Sequence, residues 1–329
     1  MNQKIIPPFE EIFSFENLFK SFKEFEKGKK NKPDVAEFKS RLVENLLSLS
    51  SDILSGNYRH GGYFHFKIND PKPRDIHKAS VRDRVVHHAI YAALYPYFDQ
   101  KFIFDSYSCR LGKGTHKAIY RFEEFGKKES QNYSKTVWIL KCDIRKCFAS
   151  VSHDILKKFL ADNIKDERLF RVVGNIINSF SQGLPLGNLT SQLFINIYLN
   201  ELDLFVKHRI KAGKYIRYAD DFVIFSRDKN ELESLLPKIE NFLKTKLDFD
   251  MHPDKVFIKT LFSGVDFLGW VHFPRHRVLR TKTKKRMWRN LSSNPSKPVV
   301  FSYLGLLKHG NAYKLREKIE NMIELQHEY

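Results

Sequence analysis

Apolar residues recur at helical spacing through the N-terminal part of the chain. The segments "FENLFKSFKEFEKGKK" and "VAEFKSRLVENLLSLSSDILSGNY" each place them every three or four residues, which predicts two amphipathic helices. Gly56, near the end of the second segment, is a suitable helix stop because glycine readily takes the backbone angles found there. The chain is therefore expected to begin with a helical region.

A strand, a turn and another helix are predicted next. The alternation in "YFHFKI" favours a short strand, and the proline-containing "NDPKPRD" after it favours a turn. The apolar "SVRDRVVHHAIYAALYPYF" predicts a helix that closes near Pro96, because proline disfavours helical angles in the residue before it.

The central part of the chain alternates between strand-like and helix-like segments. Ser152 is a candidate N-cap for one of the helices. The strands predicted here are "KTVWILKCDI", "KYIRY" and "FVIFS", and the helices are "SHDILKKFLADNI", "LTSQLFINIYLNELDLFVKHRI" and "KNELESLLPKIENFLKTKL".

Composition indicates a folded protein with a polyanionic partner. Apolar residues make up 42% of the 329 positions, with 29 Phe and 14 Tyr, so a sizeable core can form. Lys and Arg total 57 against 38 acidic residues, a net charge of +19. Such a charge favours binding to nucleic acid or to an anionic membrane surface. No apolar run approaches the ~18 to 20 residues of a spanning helix, and "MNQKIIPPFEEIF" lacks a secretory apolar core, so nucleic acid in the cytoplasm is the favoured interpretation.

Cysteine and histidine residues give no metal or disulfide pattern. Cys109, Cys142 and Cys147 are odd in number and lack CxxC spacing, which argues against a disulfide framework or a zinc site and favours buried thiols in a reducing compartment. Three histidines are interpreted as structural rather than as metal ligands: His87, His88 and His116.

Positive charge is concentrated near the C-terminal end. Between Asp266 and Glu317 there are twelve Lys or Arg residues and no acidic residue, and Trp288 and Tyr303 lie among them. A solvated charged surface is the alternative, but the length of this acid-free stretch favours contact with a phosphate backbone.

Two adjacent aspartates, Asp220 and Asp221, interrupt the apolar run "YIRYADDFVIF". The flanking strands predict a hairpin with the pair at its tip, and a plain surface turn is the alternative. Asp143 ends another apolar strand, so burial of both segments in one sheet would bring it beside the tip. Three clustered carboxylates need neutralising cations, and Mg²⁺ prefers such oxygen ligands. Two ions ~4 Å apart suit in-line phosphoryl transfer.

These segments resemble reverse transcriptases. "YADD" between apolar strands and Asp143 followed by Phe148 are similar to the palm of that family. The order of "PKPRDI", "SYSCRLGKGTHKAI", the Asp143 segment, "QGLPLGNLTSQ", "YADD", "MHPDKVFIK" and "VDFLGW" is also similar. The resemblance implies an α+β right-hand fold of fingers, palm and thumb, with an antiparallel palm sheet. The expected division is a helical N-terminal extension (1–62), fingers and palm (63–274) and a short basic thumb (275–329).

One segment suggests the subfamily. Most reverse transcriptases carry Gln-Gly-x-x-x-Ser-Pro, whereas here Leu186-Gly187-Asn188-Leu189-Thr190-Ser191-Gln192 has Leu for the Gln and Gln for the Pro. This pattern resembles the reverse transcriptases of diversity-generating retroelements, which miscopy template adenines to diversify a target gene. The alternatives are a retron, group II intron-like or defence-associated reverse transcriptase, or an inactive RNA-binding module. The segment and the absence of room for a maturase or endonuclease tail argue against the first group, and the intact aspartates argue against the last.

The resemblance also implies roles for individual residues and partners. The expected metal ligands are Asp143, Asp220, Asp221 and the Ile144 carbonyl, holding two Mg²⁺ ions for which Mn²⁺ can substitute. The expected nucleotide site comprises Lys72, Arg74, Phe148 as a ribose gate, Leu186, Gly187, Gln192 and Lys255. The expected primer–template contacts are Tyr218, Ala219, Lys284, Lys285 and Arg286. Expected partners are dNTPs, a template-repeat RNA, the RNA–DNA or primer–template duplex, and a small basic pentameric accessory protein.

Overall fold

The computed structural model describes residues 4–69 and 72–327, with side chains described up to Met322. The helical N-terminal region leads into a two-stranded hairpin and the long helix α5. Its elements are α1 (Phe9–Ile12), α2 (Phe15–Glu26), α3 (Pro33–Ser40), α4 (Leu42–Leu54), β1 (Tyr63–Ile68), β2 (Arg74–Ala79) and α5 (Val81–Asp99). Strands β1 and β2 pair antiparallel.

The middle of the chain builds a four-stranded antiparallel sheet with helices on both faces. Its elements are α6 (Thr115–Glu129), β3 (Trp138–Asp143), α7 (His153–Ala161), α8 (Glu167–Asn178), α9 (Leu189–Leu204), β4 (Lys214–Tyr218), β5 (Asp221–Ser226), α10 (Lys229–Leu247) and β6 (Phe257–Thr260). The strand order is β4-β5-β3-β6. Ser152 caps α7, as predicted, by accepting a hydrogen bond from the Ile155 amide.

Side-chain alternation along the strands separates two hydrophobic cores. On β3, Leu140 and Cys142 belong to the large core on the side of α9 and α10, whereas Ile139 and the preceding Val137 belong to the core beneath α6. Because successive strand residues point to opposite faces, Asp143 continues the row of Val137 and Ile139.

The C-terminal part forms a small three-stranded sheet and a helical unit with its own core. Its elements are β7 (Val265–Phe267), β8 (Trp270–His272), β9 (Arg277–Leu279), α11 (Thr281–Ser293), α12 (Lys297–Leu307) and α13 (Tyr313–His327). Trp270 of β8 and Ile119 of α6 belong to the same core as helices α11, α12 and α13, so this unit packs against α6.

Several helix and strand boundaries differ from the sequence predictions. Helix α5 does not close at Pro96 but continues to Asp99, because Phe98 lies beyond the proline and is buried in the large core. The first predicted helix ends at Glu26, and the second is divided at Arg41. In the long central helix, α-helical geometry ends at Leu204 and a π-helical turn follows.

The segment predicted as a turn after β1 is shorter than expected. Arg74 and Asp75 already pair with Ile68 and Lys67, so they form the start of β2 rather than part of the turn. Residues 70 and 71 lie outside the described residues.

Candidate active site

The three aspartates lie at one end of the palm sheet, which confirms the prediction that Asp143 lies beside the hairpin. Asp143 is the last residue of β3, and its partner across the strands is Asp221, the first residue of β5. Asp220 occupies the two-residue connection between β4 and β5. The Ile144 amide donates a hydrogen bond to the Asp220 carbonyl (3.1 Å), which joins the chain after β3 to the hairpin.

Two lysines neutralise part of this negative charge. Lys255 Nζ lies 2.7 Å from Asp143 Oδ1, and Lys141 Nζ lies 3.0 Å from Asp221 Oδ1. The Lys141 side chain is 7% exposed, whereas that of Lys255 is 39% exposed. Lys141 was not recognised from the sequence, although a lysine inside the apolar "VWILKCDI" was the available signal.

The carboxylates remain incompletely neutralised. Burial raises the pKa of Asp221 to about 7, against the opposing effect of Lys141. Burial and the charge of Asp143 raise the pKa of Asp220, while the charges of Lys255 and Arg74 lower it. Sites of this kind attract cations because a bound positive charge favours the ionised carboxylates.

The donor chemistry of the site fits a hard divalent cation. Carboxylate oxygens are the ligands that Mg²⁺ prefers, and burial is the main cause of the raised pKa values of Asp220 and Asp221. Among the described side chains, those of residues 4–69 and 72–322, no three His, Cys, Asp or Glu are arranged to hold a metal ion. The ammonium groups of Lys141 and Lys255 instead contact two of the carboxylates.

A second group of predicted residues lines the boundary between the sheet and the β1–β2 hairpin. The Leu184 amide donates to the Phe148 carbonyl (2.7 Å), and the His77 amide of β2 donates to the Leu186 carbonyl (2.9 Å). The segment from Leu184 to Leu186 therefore connects the chain after Asp143 to the hairpin. Phe148 and Leu186 are both half-buried.

Gly187 is required by this close packing. Its φ is +108°, and a Cβ placed there would lie 2.8 Å from Ile76 Cγ2. Any larger residue would separate the segment from β2 or strain its backbone. This need explains the glycine without reference to a nucleotide.

The remaining predicted nucleotide residues differ in exposure. Arg74 is exposed at the start of β2, and its charge acts on Asp220. Lys72 is also exposed, and Gln192 is exposed in the first turn of α9. None of these three residues contacts the aspartates among the described hydrogen bonds and ion pairs.

The residues expected to contact primer and template occupy two places. Tyr218 ends β4 beside the aspartates, and its hydroxyl accepts a hydrogen bond from Thr115 Oγ1 (3.0 Å) at the start of α6, a partner that the sequence did not reveal. Ala219 follows it in the hairpin connection. Helix α11 carries the other set: Lys284 and Lys285 are exposed, and Arg286 is half-buried.

Across the part of the chain that the structure describes, no helix has the length and apolar character needed to cross a membrane.

Comparison with known proteins identifies the family. Residues 67–273 match the family described as reverse transcriptase (RNA-dependent DNA polymerase). Protein YkfC of Escherichia coli is 25% identical over 304 residues, covering 78% of this chain and 77% of YkfC. The group II intron-encoded protein LtrA of Lactococcus lactis is 22% identical over 292 residues, covering 67% of this chain and 47% of LtrA.

A yeast protein is a further relative. The putative COX1/OXI3 intron 2 protein of Saccharomyces cerevisiae is 22% identical, covering 82% of this chain and 39% of that protein. The chain thus spans less than half of LtrA and of the yeast protein.

Among solved structures, telomerase from Candida tropicalis aligns with a TM-score of 0.51 and 11% identity over 73% of this chain and 60% of that one. Telomerase from Candida albicans, solved with a fragment of telomeric RNA, has a TM-score of 0.51 and 12% identity over 68% and 46%. These structures bear on the fold alone and confirm an α+β right-hand polymerase. The chain belongs to the reverse transcriptase family and is an RNA-directed DNA polymerase of the group II intron-like kind.

Proposed function

We propose that this enzyme copies a template-repeat RNA into cDNA with low fidelity at template adenines, as the reverse transcriptases of diversity-generating retroelements do. The observation that carries the proposal is Leu186, which occupies the place of the usual Gln in the segment that ends at Gln192. Its half-buried side chain lies on a segment bonded both to Phe148 and to β2. Such a position suits a residue that contacts the incoming nucleotide.

The reduced fidelity has a physical explanation. A Gln side chain can orient a nucleotide by hydrogen bonding, whereas Leu offers only van der Waals contact. Loss of one orienting hydrogen bond of about 1 kcal/mol lowers discrimination between correct and incorrect geometries several-fold. This explanation covers low fidelity in general, and the preference for adenine comes from the resemblance.

The aspartates are assigned to metal binding within this proposal. Asp143, Asp220, Asp221 and the Ile144 carbonyl would hold two Mg²⁺ ions, for which Mn²⁺ can substitute. When bound, these ions activate the primer 3′-hydroxyl and neutralise charge on the triphosphate. Lys255, whose side chain is 39% exposed on the loop before β6, would contact the triphosphate.

The surrounding residues are assigned to the nucleotide and the duplex. Arg74 and Lys72 would bind the triphosphate, Phe148 would exclude a ribose 2′-hydroxyl, and the segment Leu186–Gln192 would contact the base and sugar. Tyr218 and Ala219 would lie against the primer end, where the small side chain of Ala219 permits close approach.

The thumb and the partners complete the proposal. Residues 275–329 are assigned as a thumb in which Lys284, Lys285 and Arg286 contact the template–primer backbone, where A-form shape is read rather than sequence. Residues 1–62 form the N-terminal extension, and residues 63–274 form fingers and palm. A structured template-repeat RNA and a small basic pentameric accessory protein are the proposed partners, by resemblance to the subfamily.

Sequencing of cDNA tests the proposal. Purified enzyme would extend a primer on an RNA template containing the four bases in equal numbers, with the accessory protein and flanking RNA present if they are required. The proposal predicts errors concentrated opposite adenine. Low, evenly distributed errors would contradict it.

A further inference from the structure

Arg217 is a charged residue inside the apolar strand β4, two positions before Ala219. It is fully buried and forms a two-point ion pair with the equally buried Asp203 of α9: Nε lies 2.7 Å from Oδ1 and Nη2 lies 2.6 Å from Oδ2. The Tyr215 hydroxyl also donates to Asp203 Oδ1 (2.8 Å). A buried ion pair often stabilises a fold no better than apolar residues of the same volume. The other hydrogen bonds of Arg217 therefore indicate whether it has a role besides stability.

The rest of the guanidinium reaches the hairpin that carries the aspartates. Arg217 Nη1 donates to the Ala219 carbonyl (3.2 Å) and to Asn196 Oδ1 of α9 (3.4 Å), and Nη2 donates to Ser106 Oγ (3.1 Å). Guanidinium donors are planar and fixed relative to one another. One side chain therefore ties the hairpin connection to α9 and to the segment before α6.

The carbonyl that Arg217 binds belongs to an unusual backbone position. Ala219 has φ +53°, a conformation that costs an alanine free energy and persists only where neighbouring groups hold it. The carbonyl of Ala219 is part of the peptide bond to Asp220, so restraint of this carbonyl also restrains the direction of Asp220. The Ile144 amide holds the Asp220 carbonyl from the other side.

Helix α9 extends this restraint to the nucleotide segment. The helix is continuous from Leu189 to Leu204, and its N-cap residue, Asn188, donates from Nδ2 to the His77 carbonyl of β2 (2.9 Å). The two partners of Arg217 on α9, Asn196 and Asp203, thus belong to the same continuous helix, which begins three residues after Leu186.

We propose that Arg217 is a positioning residue, which holds Asp220 in place relative to the Leu186–Gln192 segment by binding the Ala219 carbonyl and helix α9 at once. The inference rests on the proposed assignment of Asp220 to the polymerase site. Arg217 itself does not face that site, so any effect on catalysis has to pass through the hairpin.

Two variants at this position remove the restraint in different ways. Arg217→Lys keeps a charge for Asp203 but lacks the planar fork, and Arg217→Met combined with Asp203→Asn removes both charges at similar volume. Both are expected to lower kcat for single-nucleotide addition by roughly tenfold to a hundredfold, the scale of a small misplacement of reacting groups. The KM for dNTP and the Kd for primer–template should change by less than about threefold, as for an interaction that acts in the transition state.

Tyr215→Phe is the matched control. It removes a hydrogen bond to the same Asp203 carboxylate but none to Ala219, so thermal stability should fall while kcat stays at the wild-type value. If a folded Arg217 variant also keeps wild-type kcat, Arg217 has only a structural role and the proposal is wrong.

A further variant covers the case in which the Arg217 variants do not fold. Ala219→Gly relieves the strained φ and frees the connection without touching Arg217, and it should also lower kcat. Wild-type kcat in Ala219→Gly would overturn the idea that this connection has to be held.

Hydrogen exchange separates this inference from the assignment of the active site. Amides 219–222 should exchange faster in Arg217→Lys than in the wild type or in Tyr215→Phe, and equal exchange would overturn the inference. If Asp220→Ala extends a primer at the wild-type rate, the site assignment is wrong, while the exchange result still reports whether Arg217 holds the hairpin.

Discussion

At the residue scale, the two lysines beside the aspartates are held in different ways. Lys141 extends from the middle of β3 and its ammonium is almost fully enclosed, whereas Lys255 lies on a loop and is partly exposed. Lys141 is therefore more closely enclosed beside Asp221 than Lys255 is beside Asp143. This difference favours a fixed electrostatic role for Lys141.

Leu186→Gln tests the residue that carries the low-fidelity proposal. Because Leu186 is half-buried, a Gln of similar volume should be tolerated, and errors opposite template adenine should fall several-fold as an orienting hydrogen bond of about 1 kcal/mol becomes available. Sequencing of cDNA gives the error rate, and thermal unfolding gives the stability.

Leu236→Gln is the control for this substitution. Leu236 is a half-buried leucine on α10, and the same chemical change there should leave the error rate at the wild-type value. A stable Leu186→Gln enzyme with an unchanged adenine error rate would show that Leu186 is not the selectivity residue.

Phe148→Ala tests the proposed sugar gate. The ring is half-buried, so truncation opens space at the boundary with the Leu184–Leu186 segment and should admit ribonucleotides. The ratio of rNTP to dNTP incorporation should rise, while Phe170→Ala, a half-buried phenylalanine on α8, should leave the ratio unchanged. Retained activity with the wild-type ratio would make Phe148 a packing residue.

Sequence patterns revealed some site residues and missed others for a clear physical reason. Asp143, Asp220 and Asp221 were visible because carboxylates interrupt apolar strands. Lys141 and Arg217 also interrupt apolar strands, but their partners depend on the strand register and on the packing of α9, which spacing along the chain does not determine.

At the element scale, strands β3, β4 and β5 were predicted closely, whereas β6 and several helix boundaries were not. Strands β4 and β5 flank the aspartates as the alternation indicated. Helix α5 continues past Pro96 because tertiary burial of Phe98 outweighs the missing backbone hydrogen bond. The first two residues of β2, Arg74 and Asp75, were predicted as turn because two prolines precede them closely and the strand is mostly exposed or half-buried.

The contact between the thumb and the palm depends on one glycine. Trp270 of β8 is 1% exposed, and a Cβ at Gly310 would lie 2.1 Å from its Cζ3 atom. Gly310→Ala should therefore destabilise the thumb contact by about 1 to 3 kcal/mol, the usual cost of overpacking, and weaken primer–template binding. Thermal unfolding and a binding isotherm measure the two effects.

Gly305 provides the matched control on α12. A Cβ there meets nothing within 4 Å, so Gly305→Ala should raise stability by about 0.5 to 1 kcal/mol through improved helix propensity. If Gly310→Ala is as stable as the wild type, the thumb does not rest on Trp270 as described.

At the scale of the whole molecule, the net charge of +19 predicted a nucleic-acid partner, and membership of the reverse transcriptase family accords with that expectation. The four-stranded sheet and its two helical faces bring together segments far apart in the chain, including Lys255 and Asp143. The order of the motifs along the chain predicted this assembly, because the resemblance to reverse transcriptases implied how the segments are arranged in the fold. The division into an N-terminal extension, fingers and palm, and thumb stays a proposal.

The exposed lysines of α11 test the proposed path of the duplex. Lys284→Gln with Lys285→Gln should weaken primer–template binding and reduce the salt dependence of log K by about 2, if each lysine contacts one phosphate. Lys238→Gln with Lys246→Gln removes two exposed lysines from α10 and should leave the slope unchanged. An unchanged slope in the α11 variant would show that this helix does not contact the duplex.

The central claim is that the aspartates at the end of the palm sheet form the polymerase site. The most direct measurement is Mg²⁺-dependent addition of dNTP to a primer annealed to RNA, with the wild type, Asp220→Ala, Asp221→Ala and the control Asp228→Ala. Asp228 caps α10 by accepting a hydrogen bond from the Asn230 amide (2.8 Å), so its loss costs about 1 kcal/mol of stability without touching the site. We expect primer extension by the wild type and Asp228→Ala, and none by Asp220→Ala or Asp221→Ala although both still bind the duplex. Extension at the wild-type rate by either of those two variants would contradict the central claim.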